Sequence, residues 1–279
     1  MKTRTKNHTA EHTIPVSAHT SLRLYPDTRP HNCQIADIQK GLILVHKGTE
    51  RVGEGTGFGV PIARYDGKTY FSSASTVQIS GRDGNLTAIK EFSLDTVAEK
   101  NFAKVKMDNG PIYKLMTYVD ELYREHKHLR LLTLANLSKN LGLQTNFVKT
   151  KTIGTVTTAY KIKPPMLHVE ANLDSLRKNK LETVFLSNEQ SSRFFAKYHD
   201  SSGTILYDRK IGAWEKVNGE WACILNKTSD AGFRLWKVKD AILYRGREYL
   251  ADFFDWAGLD YEIGCEKTRF KYDIEILGS

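Results

Sequence analysis

Residues 41–79 read GLILVHKGTERVGEGTGFGVPIARYDGKTYFSSASTVQI. Apolar side chains recur at alternate positions and glycines punctuate the run, the pattern of strands joined by tight turns. The chain beyond residue 140 is written the same way, so this stretch predicts a mainly β protein with large antiparallel pairing. Within it, Gly53, Gly55, Gly57 and Gly59 alternate with Glu54, Thr56 and Phe58. A phosphate-cradling loop needs a helix directly after the glycines, because the helix N-terminus supplies the amides. Here Val60 to Tyr65 reads as strand, and Asp66-Gly67 signals a hairpin into Lys68-Thr69-Tyr70-Phe71. A nucleotide loop is therefore excluded. The glycines keep two readings: bulges and close packing on one sheet face, or a groove where a ligand approaches the backbone. Glu54, the one acid inside the cluster, is a candidate catalytic carboxylate.

Working outward, the first twenty residues are polar, rich in Thr and His, and read as a flexible N-terminal tail. Residues 21–279 read as a single domain, a size that β-sandwiches reach without division. At Pro111 the apolar spacing changes from two to helical: Ile112, Leu115, Met116, Val119, Leu122, Tyr123 and Leu129 share one face, and Gly142 follows as a stop. This predicts a helical insertion at residues 111–141. From Thr145 the β pattern returns, with strands expected at Leu167–Leu173, Leu181–Leu186, Gly203–Tyr207, Glu220–Leu225, Gly232–Val238 and Phe270–Leu277.

The net charge is +9, unevenly spread. Between His126 and Val169 there is no acid, while Lys127, Arg130, Lys139, Lys149, Lys151, Lys161 and Lys163 are all basic. Cys33, Cys223 and Cys265 are an odd number without metal-ligand spacing and fit a reducing compartment. No run of eighteen apolar residues occurs, and the basic N-terminus lacks the apolar core of a secretory signal, so a cytoplasmic protein is expected. His126 and His128 lie two apart on the expected helix and face different ways, so no metal site is read. Nothing in the chain implies a cofactor.

The last third has a rhythm of its own: Gly219-Glu220-Trp221-Ala222-Cys223-Ile224-Leu225, then Ala231-Gly232-Phe233-Arg234-Leu235, Phe253-Phe254-Asp255-Trp256, Leu259-Asp260-Tyr261-Glu262-Ile263 and a final strand at residues 268–276. Across residues 205–277 it resembles the supersandwich of the galactose mutarotase-like superfamily. The resemblance implies a large antiparallel β-supersandwich and raises carbohydrate chemistry as an expectation; it brings no shared catalytic motif. The chain as a whole also resembles uncharacterised archaeal proteins, a resemblance that carries no activity.

The densest chemistry lies in SNEQSSRFFAKYHD, residues 187–200, continuing to Trp214. Sugar sites use this mixture, with aromatic faces against C–H surfaces, amides and guanidinium on hydroxyls, and carboxylates to move protons. Glu189, His199 and Glu54 are the candidate catalytic groups, and Asn188, Arg193, Tyr198 and Trp214 the candidate substrate contacts. A plain turn with polar surface also accounts for Asp200-Ser201-Ser202-Gly203. Two functional hypotheses follow. In the first, the protein binds or transforms a saccharide on a concave sheet face, and if it is an enzyme it is a lyase, epimerase or hydrolase working by acid/base chemistry. In the second, it is a non-enzymatic protein whose basic segment docks on a polyanion (nucleic acid, an anionic lipid surface or an acidic polysaccharide) through Lys149, Lys151, Lys161 and Lys163. Clustered carboxylates and aromatics favour the first; a continuous lysine patch free of acids favours the second.

Overall fold

The computed structural model describes residues 12–24, 39–46, 56–82, 85–100, 145–212, 214–251 and 254–278. The expected helix at 111–141 and Glu54 lie outside them. The described chain is mainly β, as predicted. Eighteen strands, all antiparallel to their neighbours, hydrogen-bond into one continuous sheet. They are β1 His12–Pro15, β2 Thr20–Leu24, β3 Leu42–His46, β4 Gly57–Tyr65, β5 Lys68–Arg82, β6 Asn85–Lys100, β7 Thr145–Lys149, β8 Thr155–Lys163 and β9 Met166–Asn172. The second half supplies β10 Leu181–Gln190, β11 Phe195–Asp200, β12 Ile205–Tyr207, β13 Glu215–Lys216, β14 Trp221–Asn226, β15 Gly232–Trp236, β16 Ala241–Ala251, β17 Phe254–Gly264 and β18 Arg269–Leu277. Among the described residues no helix is long and apolar enough to cross a membrane.

The sheet turns back on itself at the β4–β5 hairpin. Asp66 and Gly67 both take positive φ, 51° and 71°, the geometry a two-residue hairpin turn demands. One limb runs β5-β6-β8-β9-β18-β15-β14-β11-β12, with β7 beside the far half of β6. The other runs β1-β2-β3-β4-β10-β17-β16-β13. β1 falls within the stretch expected to be a tail and pairs with β2 through His12↔Leu24.

Alternation explains why the limbs face each other. In β8, Val156, Thr158, Tyr160 and Ile162 are buried while Thr157, Lys161 and Lys163 turn outward, and β9 and β18 repeat the pattern. The buried faces meet ring to ring: Phe58 of β4 stands edge-on to Phe233 of β15 at 5.0 Å, and Tyr261 of β17 meets Tyr272 of β18 at 4.8 Å. Their polar tips are satisfied across the gap. Tyr160 donates to the Phe58 carbonyl at 2.8 Å, and Thr158 donates to the Gly59 carbonyl at 3.1 Å. Burial holds the Tyr160, Tyr261 and Tyr272 hydroxyls far above the usual tyrosine range, so these rings pack as neutral groups.

Several strands differ from the sequence reading, β11 among them, and two of the differences bear on the site. β10 continues past Leu186 to Gln190, so Glu189 sits within a strand rather than beyond its end. β16, with the sequence AILYRGREYLA, has no counterpart among the expected strands. Both shape the site.

Candidate functional site

β10 is the centre of the second limb, held by β4 on one side and β17 on the other. Both ladders break at the same place. Towards β4 the register shifts between Ser187↔Val60 and Asn188↔Phe58, a bulge that Gly59 absorbs at φ 73°. Towards β17 the pairing skips from Leu186↔Tyr261 to Glu189↔Gly258. The gap is filled by side chains: Asp260 accepts the Asn188 backbone N–H at 2.8 Å, and the Asn188 amide donates to the Leu259 carbonyl at 3.1 Å.

Strand parity sorts what this irregularity presents. Val184, Leu186 and Asn188 point into the core, and Phe185, Ser187 and Glu189 point out. On β17, Ala257, Leu259 and Tyr261 point in, leaving Gly258, Asp260 and Glu262 outward. Glu189 and Asp260 therefore share the outer face as diagonal neighbours, a separation of about 7–8 Å between Cα atoms. Both are nearly withdrawn from solvent, at 5% and 6% exposure. Glu189 accepts from the Thr56 hydroxyl at 3.2 Å, and Thr56 also meets Ser187 Oγ at 2.7 Å.

The floor beside Glu189 is glycine. In register across the strands stand Gly57, Glu189, Gly258 and Gly246. A Cβ on Gly258 would lie 2.9 Å from Glu189 Cγ, so the side chain lies across that glycine. A Cβ on Gly246 would lie 2.6 Å from Trp214 Cδ2, so the indole lies against the next one. Trp214 holds φ at 46°, an uncommon backbone for a bulky residue and a conformation that surrounding structure must enforce. The indole and the Glu189 carboxylate thus share one face, two strand spacings or about 10 Å apart along the backbone. Tyr244 of β16, opposite Asp260, donates to Glu262 Oε2 at 2.7 Å; that bond pushes its pKa up to about 12 and fixes its hydroxyl as a neutral donor.

The remaining expected site residues are elsewhere. Asn188 is fully buried and faces the core; its Oδ1 accepts from Tyr272 Oη and Gly59 N, and its amide donates to Leu186 and Leu259. Tyr198 is also buried, donating to Asp200 Oδ2 at 2.6 Å, with the Arg245 guanidinium over its ring. His199 lies on β11, in the opposite limb, and turns outward with its ring edge-on to Trp221 at 5.3 Å. The two-layer core stands between it and Glu189, so these two are not brought to one site. Arg193 is half-buried in the turn between β10 and β11.

The four lysines are split. Lys149 is opposite Thr96 and Lys161 opposite Thr87, nine residues apart on β6 and so about 30 Å along the strand. Acids interleave with both groups. Asp95 is 3.7 Å from Lys149, while Asp273, bonded to His168 at 2.6 Å, stands in the row of Lys161. Lys163 ends the same strand, and exposed Lys151 lies on the connector before it. Folding thus supplies the acids that the sequence segment lacks.

Asp260 and Tyr244 stand beside Glu189 on this face and were not among the sequence candidates, while Ser187 and Thr56 lay in the quoted stretches without an assigned role. A signal for Asp260 was present: in GLDYEIG, residues 258–264, apolar residues alternate with Gly258, Asp260 and Glu262, which puts two acids on one strand face.

No family model matches the chain, and no curated protein matches it. Among solved structures it is similar to an alpha-N-acetylgalactosaminidase, NagBb from Bifidobacterium bifidum, in complex with GalNAc, at 10% identity and a TM-score of 0.49, over 96% of this chain and 36% of that one. The chain thus spans about a third of that enzyme's length. It is also similar to the Slr1438 protein from Synechocystis sp. PCC 6803, at 7% identity and a TM-score of 0.38, over 100% of this chain and 99% of that one.

Proposed function

We propose that this chain takes a saccharide on the outer face of the limb carrying Glu189 and Asp260, and that these two carboxylates move protons on it. The observation that supports this reading is the simultaneous opening of both β10 ladders at Ser187–Asn188, beside two nearly buried carboxylates. Bulges of this kind re-aim side chains next to active sites. Glu189 and Trp214 lie over neighbouring glycines of the Gly258–Gly246 row, so a carboxylate and an aromatic ring are set on one face. A sugar ring laid along that row stacks its C–H face on the indole and places hydroxyls towards Tyr244, Glu189 and Asp260.

Acid/base chemistry at a sugar carbon needs a donor and an acceptor, and glycoside hydrolysis needs two carboxylates facing one bond. Glu189 and Asp260 make such a pair. Glu189 is the acid or base to test first, because it stands at the break in both ladders and in the glycine row that also carries Trp214. The test is a glycan array followed by calorimetry with the best binder, for the native chain and for Glu189→Gln, Asp260→Asn and Trp214→Ala. Trp214→Ala is expected to weaken binding at least tenfold. Glu189→Gln is expected to abolish any turnover while retaining the fold by circular dichroism. Unchanged binding in all three variants would refute the assignment.

A further inference from the structure

Beyond β16, where the edge of this limb meets the ends of β14 and β15, lies an open groove of about 490 Å3, in the range of ligand pockets. Lys216, Lys237 and Lys239 line it, over a floor that includes Val238, Ala241 and Ile242. Ile242 is 40% exposed, so this floor is open to a ligand's apolar surface. Glu220 is the one acid among the lining residues. The other acids nearby in sequence are turned away: Glu215 pairs with Arg245 at 2.5 Å, and Asp240 with Lys267 at 3.1 Å. Lys237 donates to the Asn218 carbonyl at 2.8 Å, which anchors its ammonium and leaves further N–H donors on it. The lining carries three cations and one acid, and Glu262 stands opposite Ile242 on the neighbouring strand.

The groove borders the face of the site where β13 meets β16. β13 pairs with β16 through Lys216↔Tyr244, and Tyr244 is opposite Asp260. Residues in one such row share a face, so Lys216 stands two strand spacings, about 10 Å, from Asp260. Ile242 lies two residues from Tyr244 on that face. We infer that the saccharide taken by this face is an anionic one, carrying carboxylate or sulfate groups, and that Lys216, Lys237 and Lys239 receive those groups beside the Glu189–Asp260 pair. This rests on the saccharide reading above. The two carboxylates alone would repel such a ligand; the lysine groove supplies compensating charge, beginning with Lys216 about 10 Å from Asp260.

The test compares uronate-containing and sulfated oligosaccharides with their neutral counterparts of equal length. It uses the native chain, the exposed double variant Lys216→Gln/Lys239→Gln, and Trp214→Ala. The native chain is expected to bind acidic glycans at least tenfold more tightly than neutral ones, with the preference shrinking as salt is raised. The lysine variant is expected to lose the preference while its affinity for neutral glycans stays the same. Equal binding of acidic and neutral glycans, or a preference that survives in the lysine variant, would overturn the inference; loss of binding in Trp214→Ala would then show that the saccharide reading still stands. If no glycan of either kind binds, the saccharide reading itself fails and the anionic substrate falls with it.

Discussion

Replacing Asn188 with Leu tests whether this residue is the polar rivet of the sandwich. The two side chains are close in size, so the change creates little cavity and isolates the hydrogen bonds. Asn188 satisfies four groups on four strands: the Gly59 N–H on β4 at 3.1 Å, the Tyr272 hydroxyl on β18 at 2.8 Å, and the Leu186 and Leu259 carbonyls at 3.1 Å each. A buried donor left without its partner costs about 1–3 kcal/mol. The two stranded donors therefore carry most of the loss, and the carbonyls less because each keeps a second lone pair. The expected destabilisation is about 3–6 kcal/mol, a large share of the roughly 5–15 kcal/mol typical of whole domains. Tyr272→Phe removes one donor and leaves the Gly59 N–H on the same oxygen, so about 1 kcal/mol is expected. The double variant should cost less than the sum, because with Phe in place no hydroxyl is stranded against the introduced leucine side chain. Urea unfolding followed by tryptophan fluorescence measures all three, with the midpoint falling at constant slope. A loss below about 1 kcal/mol for Asn188→Leu would refute the accounting, since it would mean the four partners find others without cost.

Other expectations follow from the same geometry. Gly246→Ala puts a methyl group into the Trp214 indole, so it should lower saccharide affinity at least tenfold with little change in urea midpoint; calorimetry beside an unfolding curve separates the two effects. Gly154 holds φ at 138°, and a Cβ there would lie 2.2 Å from the Ser175 carbonyl oxygen, so Gly154→Ala should destabilise by about 2 kcal/mol or more, and an unchanged midpoint would contradict it. Burial pushes the Cys223 thiol up to about 11, so at pH 8 only about a thousandth is thiolate; in a Cys33→Ser background, a thiol reagent should label Cys265 first and Cys223 only on unfolding. Tyr160, Tyr198, Tyr261 and Tyr272 are all raised chiefly by burial, so the unfolded chain loses these protons near pH 10 while the folded one keeps them. Their contribution to stability is complete below about pH 10 and is lost as the pH rises above it; phenolate absorbance reaching that of all thirteen tyrosines before unfolding would contradict this.

The strands whose one face is core and other face water were legible, because burial imposes a period of two on them. β8, β9 and β18 are of this kind, and the Asp66-Gly67 turn was readable from its dipeptide. β16 was not. Tyr244, Arg245, Gly246 and Arg247 follow one another in it, and its inward positions include two arginines, Arg245 against the Tyr198 ring and the buried Arg247. Charged groups facing inward erase the alternation that marks a strand. The legible part of β10 stopped at Leu186 for a related reason, since Ser187 to Gln190 is a polar run in which every residue is buried. The density of chemistry around Glu189 was visible in the sequence, and so was Trp214. What sequence spacing lacked was the partner strand: Asp260 reaches Glu189 from a distant part of the chain, through a ladder that only the fold defines. His199, close to Glu189 in sequence, shows the converse, because the turn between β10 and β11 carries the chain to the other limb.

The hairpin at Asp66-Gly67 has a bearing on how the chain matures as it is synthesised. The limb after it begins with near neighbours, β5, β6, β8 and β9, whose ladders close from within the first 172 residues. The limb before it closes β1 to β4 early, but the other edge of β4 has no such option. β4 waits for β10, and β10 waits for β17, which ends at Gly264. Pairings over such sequence distances form slowly, because the loop entropy is spent before the contacts repay it. A nascent chain therefore carries an open β4 edge from residue 65 until β10 is complete at residue 190. Glu189, Trp214 and Asp260 come together only in the last stage, so a chain stopped short of residue 264 would expose a long unpaired strand to its neighbours and aggregate rather than yield a smaller working protein.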